Sequence, residues 1–156
     1  MKRLITALWR LIRGPLQWRV LWLAHAKFMV GVTGVVRDDS GRVLLLKHRL
    51  WPPERPWGLP TGYAVAGEEF SRTVVREVKE ETGLDVEPGR LVNVTSGYKL
   101  RVEVAYEAHH TGGELRIDEL EILDAKWFSP DALPSGIQEA HRQLIHGGDL
   151  RPEGAR

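Results

Sequence analysis

Glu77, Glu80 and Glu81 are spaced i, i+3, i+4, which on a helix puts three carboxylates on one face within about one turn of each other. Like charges so placed repel, and a helix that needed only solubility would interleave lysines, as Lys79 does on a different face. Rigidly presented carboxylate oxygens suit a hard divalent cation: Mg²⁺ takes octahedral oxygen geometry and keeps waters that a substrate phosphate can replace. Arg76 adds a planar fork that can pair with a carboxylate on one side of the cluster. The opposite face carries Val74, Val75 and Val78, an apolar stripe that would anchor the helix to a sheet. On residue types alone, three glutamates on a helix face also describe an ordinary solvated surface, so the flanks decide.

The flanks are Gly62, Glu68, Arg76-Glu77, Glu80-Glu81 and Gly83-Leu84, and at every specified position this spacing resembles the Nudix box. The preceding Trp57-Gly58-Leu59-Pro60 is similar to the family's usual approach to that box. The likeness runs from Phe28 to His146 and leaves the first 27 residues outside it. It implies an α/β (α+β) fold, a Nudix-type α/β/α sandwich with a mixed β-sheet, here preceded by an N-terminal helical extension. The implied chemistry is hydrolysis of a nucleoside diphosphate linked to another moiety, by water attack on phosphorus with Mg²⁺ or Mn²⁺. Position by position, Glu77, Glu80 and Glu81 match the metal-binding glutamates. Thr61 stands where a backbone carbonyl often joins the metal shell. Arg76 and Glu68 match residues that orient the cluster, and Gly62 and Gly83 support its geometry. The general base is either Glu121, in the ELEILDAKWF segment, or Glu77 of the box. Glu121 is also a candidate extra ligand.

For the substrate side, Arg49, Trp57 and Tyr98 are the candidate contacts, with Trp51 a further ring able to stack on a base. Packing beneath the box is an equal reading for Trp57. Lys47, His48, Arg49 and Arg55 either meet terminal phosphates or merely flank the loop. The six histidines lack metal-site spacing. Lys99 and Leu100 occupy the zone where ADP-ribose-cleaving members carry a proline, and Tyr98 and Tyr106 miss the tyrosine mark of dinucleoside-polyphosphate members. The absence of cysteine argues against the Nudix-fold isomerase of isopentenyl diphosphate. The resemblance therefore leaves the substrate unassigned. A second reading, a catalytically silent module that binds a nucleotide or a partner, stands beside the hydrolase.

These residues need elements to hold them. Residues 28–36 and 43–46 read as two strands joined by a hairpin at Asp38-Asp39-Ser40-Gly41. Four prolines in the stretch from Trp51 through Pro60 make a stiff loop. A helix is expected from Ser71, as N-cap, to Thr82, with Gly83 as its stop. Strands follow over 91–94, 100–108 and near 122–128, then a helix between Gly136 and His146. The expected domain is 28–148, with a flexible tail at 149–156.

The chain has 156 residues, 42% apolar and 28% charged, with formal net charge +1, values that suit one ordinary globular domain. That charge hides an asymmetry. Residues 1–37 hold seven basic residues and no Asp or Glu, which leaves 15 basic against 21 acidic residues in the remainder. Arg10, Arg13 and Arg19 interrupt every apolar run that could serve as an export signal, and no run approaches the ~20 apolar residues of a membrane span. A cytoplasmic protein is the expectation. Residues 1–27 read instead as two short basic amphipathic helices broken at Gly14, the second starting at Pro15. They suit either a homodimer contact or a weak membrane-surface contact. With apolar residues interleaved among these cations and an acidic domain behind them, specific binding to a nucleic acid duplex is not expected.

Overall fold

The computed structural model describes residues 14–96 and 99–147; the helix expected before Gly14, Tyr98 and the tail 149–156 lie outside the described residues. Helix α1 (Pro15–Ala24) opens the described chain with its proline in the first turn. Strands β1 (Met29–Arg37), β2 (Val43–His48), β3 (Trp57–Gly58) and β4 (Thr61–Tyr63) lead to helix α2 (Phe70–Thr82). Strands β5 (Leu84–Ser96), β6 (Arg101–Gly113) and β7 (Ile122–Phe128), a 3-10 turn at Pro130–Ala132 and helix α3 (Glu139–Ile145) complete the order.

All seven strands join one mixed sheet. β1 runs parallel to β6 from Met29 opposite Arg101 to Arg37 opposite His109, and the other pairings are antiparallel. The hairpin expected between β1 and β2 holds at its turn, where Asp38 Oδ1 accepts the N–H groups of Ser40 and Arg42 at 3.0 and 2.9 Å. Past the registered pair Arg37–Val43 the strands part. The opened edge of β1 takes β4 at Gly31–Thr33, while β2 pairs with β7 and β3. This divergence seats the first residues of the box beside the central strand. β5 starts at Leu84, earlier than its sequence suggests, because the apparent break at Pro88-Gly89 is absorbed as a register shift within the β5–β6 ladder.

Alternate residues of the strands supply two cores. Val32, Val36, Leu44, Leu46, Val104 and Ala108 pack with Val74 and Val78 of α2. Val35, Val43 and Leu45 pack with Leu144 and Ile145 of α3. The unbroken apolar run Val43–Leu46 is what a strand covered on both faces requires, and the layers are α/β/α. Val74 and Val78 are buried; full burial contributes roughly 1.5–3 kcal/mol each. Like-charge repulsion at i, i+4 costs about 0.5 kcal/mol or less on an exposed helix. Packing therefore holds α2 helical in spite of its carboxylates. The helix begins at Phe70, one residue before the expected Ser71 cap, with the Glu69 carbonyl accepting the N–H groups of Arg72 and Thr73 at 2.8 and 3.1 Å. It ends as expected at Gly83, whose φ of 72° is the left-handed cap conformation that favours glycine. No helix among the described residues is long and apolar enough to cross a membrane.

Candidate active site

Arg76 organises the carboxylates of α2. Its Nε and Nη2 donate to the two oxygens of Glu68 at 3.0 and 3.1 Å, and Nη1 donates to Glu77 at 2.6 Å and to Glu80 at 3.1 Å. Nη2 also donates to the Tyr63 carbonyl at 2.9 Å, tying α2 to β4. Glu68 further accepts the Thr73 hydroxyl at 2.8 Å. The Arg76 hydrogen bonds, helped by Thr73 and the Val65 N–H against some desolvation, hold the Glu68 carboxyl down at about 2. Glu68 is a fixed anion.

The next carboxylates along the helix behave differently. Glu77 lies over the backbone of Gly62, where a Cβ would sit 1.9 Å from the Glu77 carboxyl carbon. The box glycine is there to let that carboxylate reach the strand. Burial raises the Glu77 pKa; Arg76 opposes the rise, and the charges of Glu80 and Glu121 add to it. Glu81 is 5% exposed and its Oε2 has no hydrogen-bond partner. Burial, then the neighbouring charges of Glu77 and Glu121, push its pKa to about 9, against a hydrogen bond from the Thr61 backbone N–H. A buried carboxyl with an orphaned oxygen is costly, and a cation would relieve both that and the crowding. Among the described residues no three carboxylate or imidazole groups stand close enough to enclose an ion; Glu77 and Glu80 each lend an oxygen to Arg76. The set still fits a hard divalent cation: every donor is a carboxylate or carbonyl oxygen, and one oxygen is buried and unpartnered.

Glu121 reaches this cluster because its loop is tied to the end of α2. The Asp118 N–H donates to the Glu81 carbonyl at 3.0 Å, and the Asp118 carbonyl accepts from Glu121 and Ile122 at 3.1 and 2.8 Å. Arg49 holds the same loop. Its Nη2 and Nε donate to the Glu119 carbonyl at 2.8 and 3.2 Å, and its N–H donates to the Glu121 carbonyl at 2.8 Å. The Arg49 guanidinium, a candidate substrate contact in the sequence, thus reaches the loop that carries Glu121. Glu81 and Glu121 line a cleft of about 330 Å³ with Thr61 and Gly62. Thr61 keeps ordinary strand backbone beside β1, its hydroxyl donating to the Val32 carbonyl at 3.2 Å.

The profile of the NUDIX domain matches residues 27–147. The chain belongs to the Nudix family. It is 35% identical, over 70% of its length, to an NAD-capped RNA hydrolase, NudC, of Vibrio atlanticus. It is 32% identical, over 74% of its length, to the human 8-oxo-dGDP phosphatase NUDT18. It spans 41% and 36% of those two relatives. Among solved structures, a MutT NUDIX hydrolase from Burkholderia pseudomallei superposes with a TM-score of 0.67 at 32% identity, covering 78% of this chain and 98% of that one.

The far wall of this Nudix cleft was poorly marked in the sequence. Leu50, Trp51, Tyr63 and Arg101 line it, and Arg101 Nη1 donates to the Tyr63 hydroxyl at 3.0 Å. Trp57 is placed on the α3 side, edge-on to Phe128 at 5.3 Å, while Trp51 is the tryptophan in the cleft. Trp51 stacks on His48 at 3.7 Å and meets His141 at 5.6 Å. Burial holds His48 at about 4 and His141 at about 3, so both are neutral rings, and His141 Nδ1 accepts the Leu59 N–H at 2.9 Å. Histidine spacing gave no hint of this, because the two lie at opposite ends of the domain sequence. The alternation of Val102, Val104 and Tyr106, which pack on the α2 side of β6, was the available sign that Arg101 faces the other way.

Proposed function

We propose that this chain is a divalent-metal-dependent hydrolase that cleaves the diphosphate bond of a nucleoside diphosphate linked to another moiety. The observation that carries the reading is the convergence of Glu81, with its buried unpartnered oxygen, and Glu121 on one cleft beside Glu77 and Glu80. Glu77, Glu80, Glu81 and the Thr61 carbonyl would hold Mg²⁺ or Mn²⁺. An ion held there would supply charge compensation for the substrate phosphates and would lower the pKa of a water near neutral pH. Arg76 fixes the Glu77 and Glu80 oxygens and keeps Glu68 ionised as a brace. Glu121, at the lip of the cleft and ordered through Arg49, accepts the proton of the attacking water. Trp51 and Leu50 border the space for the nucleoside. Relatives whose names give NAD-capped RNA and 8-oxo-dGDP as substrates agree with a nucleoside diphosphate core.

The test is a panel of nucleoside diphosphate derivatives with Mg²⁺ or Mn²⁺. Product release is expected from at least one compound, with Glu80→Gln lowering it by orders of magnitude. No turnover across the panel, or an unaffected variant, overturns the reading and leaves the silent binding module in its place.

A further inference from the structure

Helix α1 has no buried residue. Trp18, Leu23 and Trp22 are 74, 72 and 65% exposed, and Leu16, Val20 and Leu21 are exposed as well. Gln17 and Arg19 are the polar residues of this ten-residue helix. The apolar surface continues past it: Phe28 and Met29 are exposed, and Met29 donates its N–H to the carbonyl of Leu100, itself exposed. So much uncovered apolar area around a short helix needs an occupant.

Charge says which. Residues 1–37 carry seven cations and no anion, so the occupant is anionic. A second copy of this chain offers its free carboxylates only singly, because Glu54, Glu69, Glu87, Glu119 and Asp131 are exposed but lie on separate elements. Asp38, Asp85, Glu107, Glu114, Asp124 and Glu139 are each paired with a cation of their own chain, and the box carboxylates are engaged by Arg76 or face the cleft. A lipid surface offers fixed negative charge without such pairing. Lys27 Nζ sits 4.3 Å over the Trp22 ring, a juxtaposition of indole and cation suited to the headgroup layer, where tryptophan has one apolar and one wet end. We infer that residues 14–29 form an interfacial anchor that seats this chain on a membrane surface rich in anionic phospholipid, with Trp18, Leu21 and Trp22, which lie together on one side of the helix, entering the headgroup–acyl boundary and Arg19 and Lys27 meeting phosphate.

The experiment is pelleting of the full chain with vesicles of equal parts phosphatidylglycerol and phosphatidylcholine, and with vesicles of phosphatidylcholine alone. The chain is expected to pellet with the first and stay in solution with the second, and to be released progressively as salt rises. Trp18→Ser/Trp22→Ser, and separately Arg19→Gln/Lys27→Gln, are expected to lower partitioning about tenfold or more, with an unchanged circular dichroism spectrum and melting temperature. These sites lie outside the carboxylate cluster, and pelleting needs no turnover, so this inference and the hydrolase reading fail separately. No pelleting with anionic vesicles overturns it. Equal pelleting with neutral vesicles overturns it too, and so does a dimer mass that Trp18→Ser/Trp22→Ser abolishes.

Discussion

Glu81→Gln tests whether the carboxylate cluster is a cation site under strain or merely an acidic surface. In the metal-free protein Glu81 is 5% exposed, has an unpartnered oxygen, and holds its proton up to about pH 9, against an ordinary value of 4.5. Between those two values the folded chain keeps a proton that the unfolded chain has lost. Stability therefore falls as pH rises, by at most about 1.4 kcal/mol per pH unit. Below 4.5 both states are protonated and the difference vanishes. Glutamine keeps the shape, and an acceptor for the Thr61 N–H, but does not titrate. From pH 5 to pH 7 wild type thus loses up to about 3 kcal/mol relative to the variant, a growing gap of roughly 6–12 °C in Tm for a chain of this size. The assay is thermal unfolding of both proteins in chelator from pH 5 to pH 8. Mg²⁺ at pH 7 is expected to raise the wild-type Tm and to leave the variant nearly unmoved. A wild-type–variant difference that does not change with pH would refute the reasoning, because it would mean that Glu81 is not a buried proton-holding carboxyl.

Two further outcomes follow from contacts in the cleft. Gly62→Ala puts a methyl 1.9 Å from the Glu77 carboxyl carbon; displacing that group by an ångström is expected to lower hydrolysis about 10²-fold with the circular dichroism spectrum retained, and a near-wild-type rate would show that Glu77 does not need this seat. Trp51→Ala uncovers His48, whose imidazole burial holds at about 4; NMR titration should find it moved up toward the ordinary 6.5, and an unmoved titration would show that Trp51 is not what keeps water from the ring.

Much of the fold was legible where one physical demand governs a stretch of chain. The run Val43–Leu46 read as a strand, which the structure covers on both sides, and Val74 and Val78 announced the face of α2 that packs on the sheet. Gly83 stopped the helix because only glycine takes its left-handed conformation without strain. Features set by long-range pairing were less legible. The early parting of β1 and β2 depends on β4 and β7 arriving from elsewhere in the chain, and nothing in the local hairpin sequence records that. At the site, spacing along α2 gathered Glu77, Glu80 and Glu81 and placed Arg76 among them. Arg49 reads in sequence as a phosphate contact or a loop flank, and its bond to the Glu119 carbonyl was not legible there, because it depends on β2 ending beside the loop that leads into β7. Trp51 and Trp57 are equivalent by composition; β3 turns Trp57 to the α3 face and leaves Trp51 in the cleft.

The arrangement of charge on α2 explains why a single arginine is enough. Arg76 touches Glu68, Glu77 and Glu80 but not Glu81. The carboxylates therefore form a graded series rather than one crowd. Glu68, gripped by two guanidinium nitrogens, is held at about 2 and serves as a brace. Glu77, sharing one nitrogen and seated against the backbone of Gly62, is raised by burial. Glu81, one turn further on with no cation of its own, holds a proton to about 9. The reach of Arg76 thus ends short of Glu81, Glu121 adds a further anion to the cleft, and the cleft's own arginine, Arg101, donates to the Tyr63 hydroxyl instead. A second arginine at that place would satisfy Glu81 and close the site. Its absence leaves a carboxylate pair that either a proton or a divalent ion must satisfy, which is why loss of a titrating group at Glu81 and loss of metal binding should be the same event.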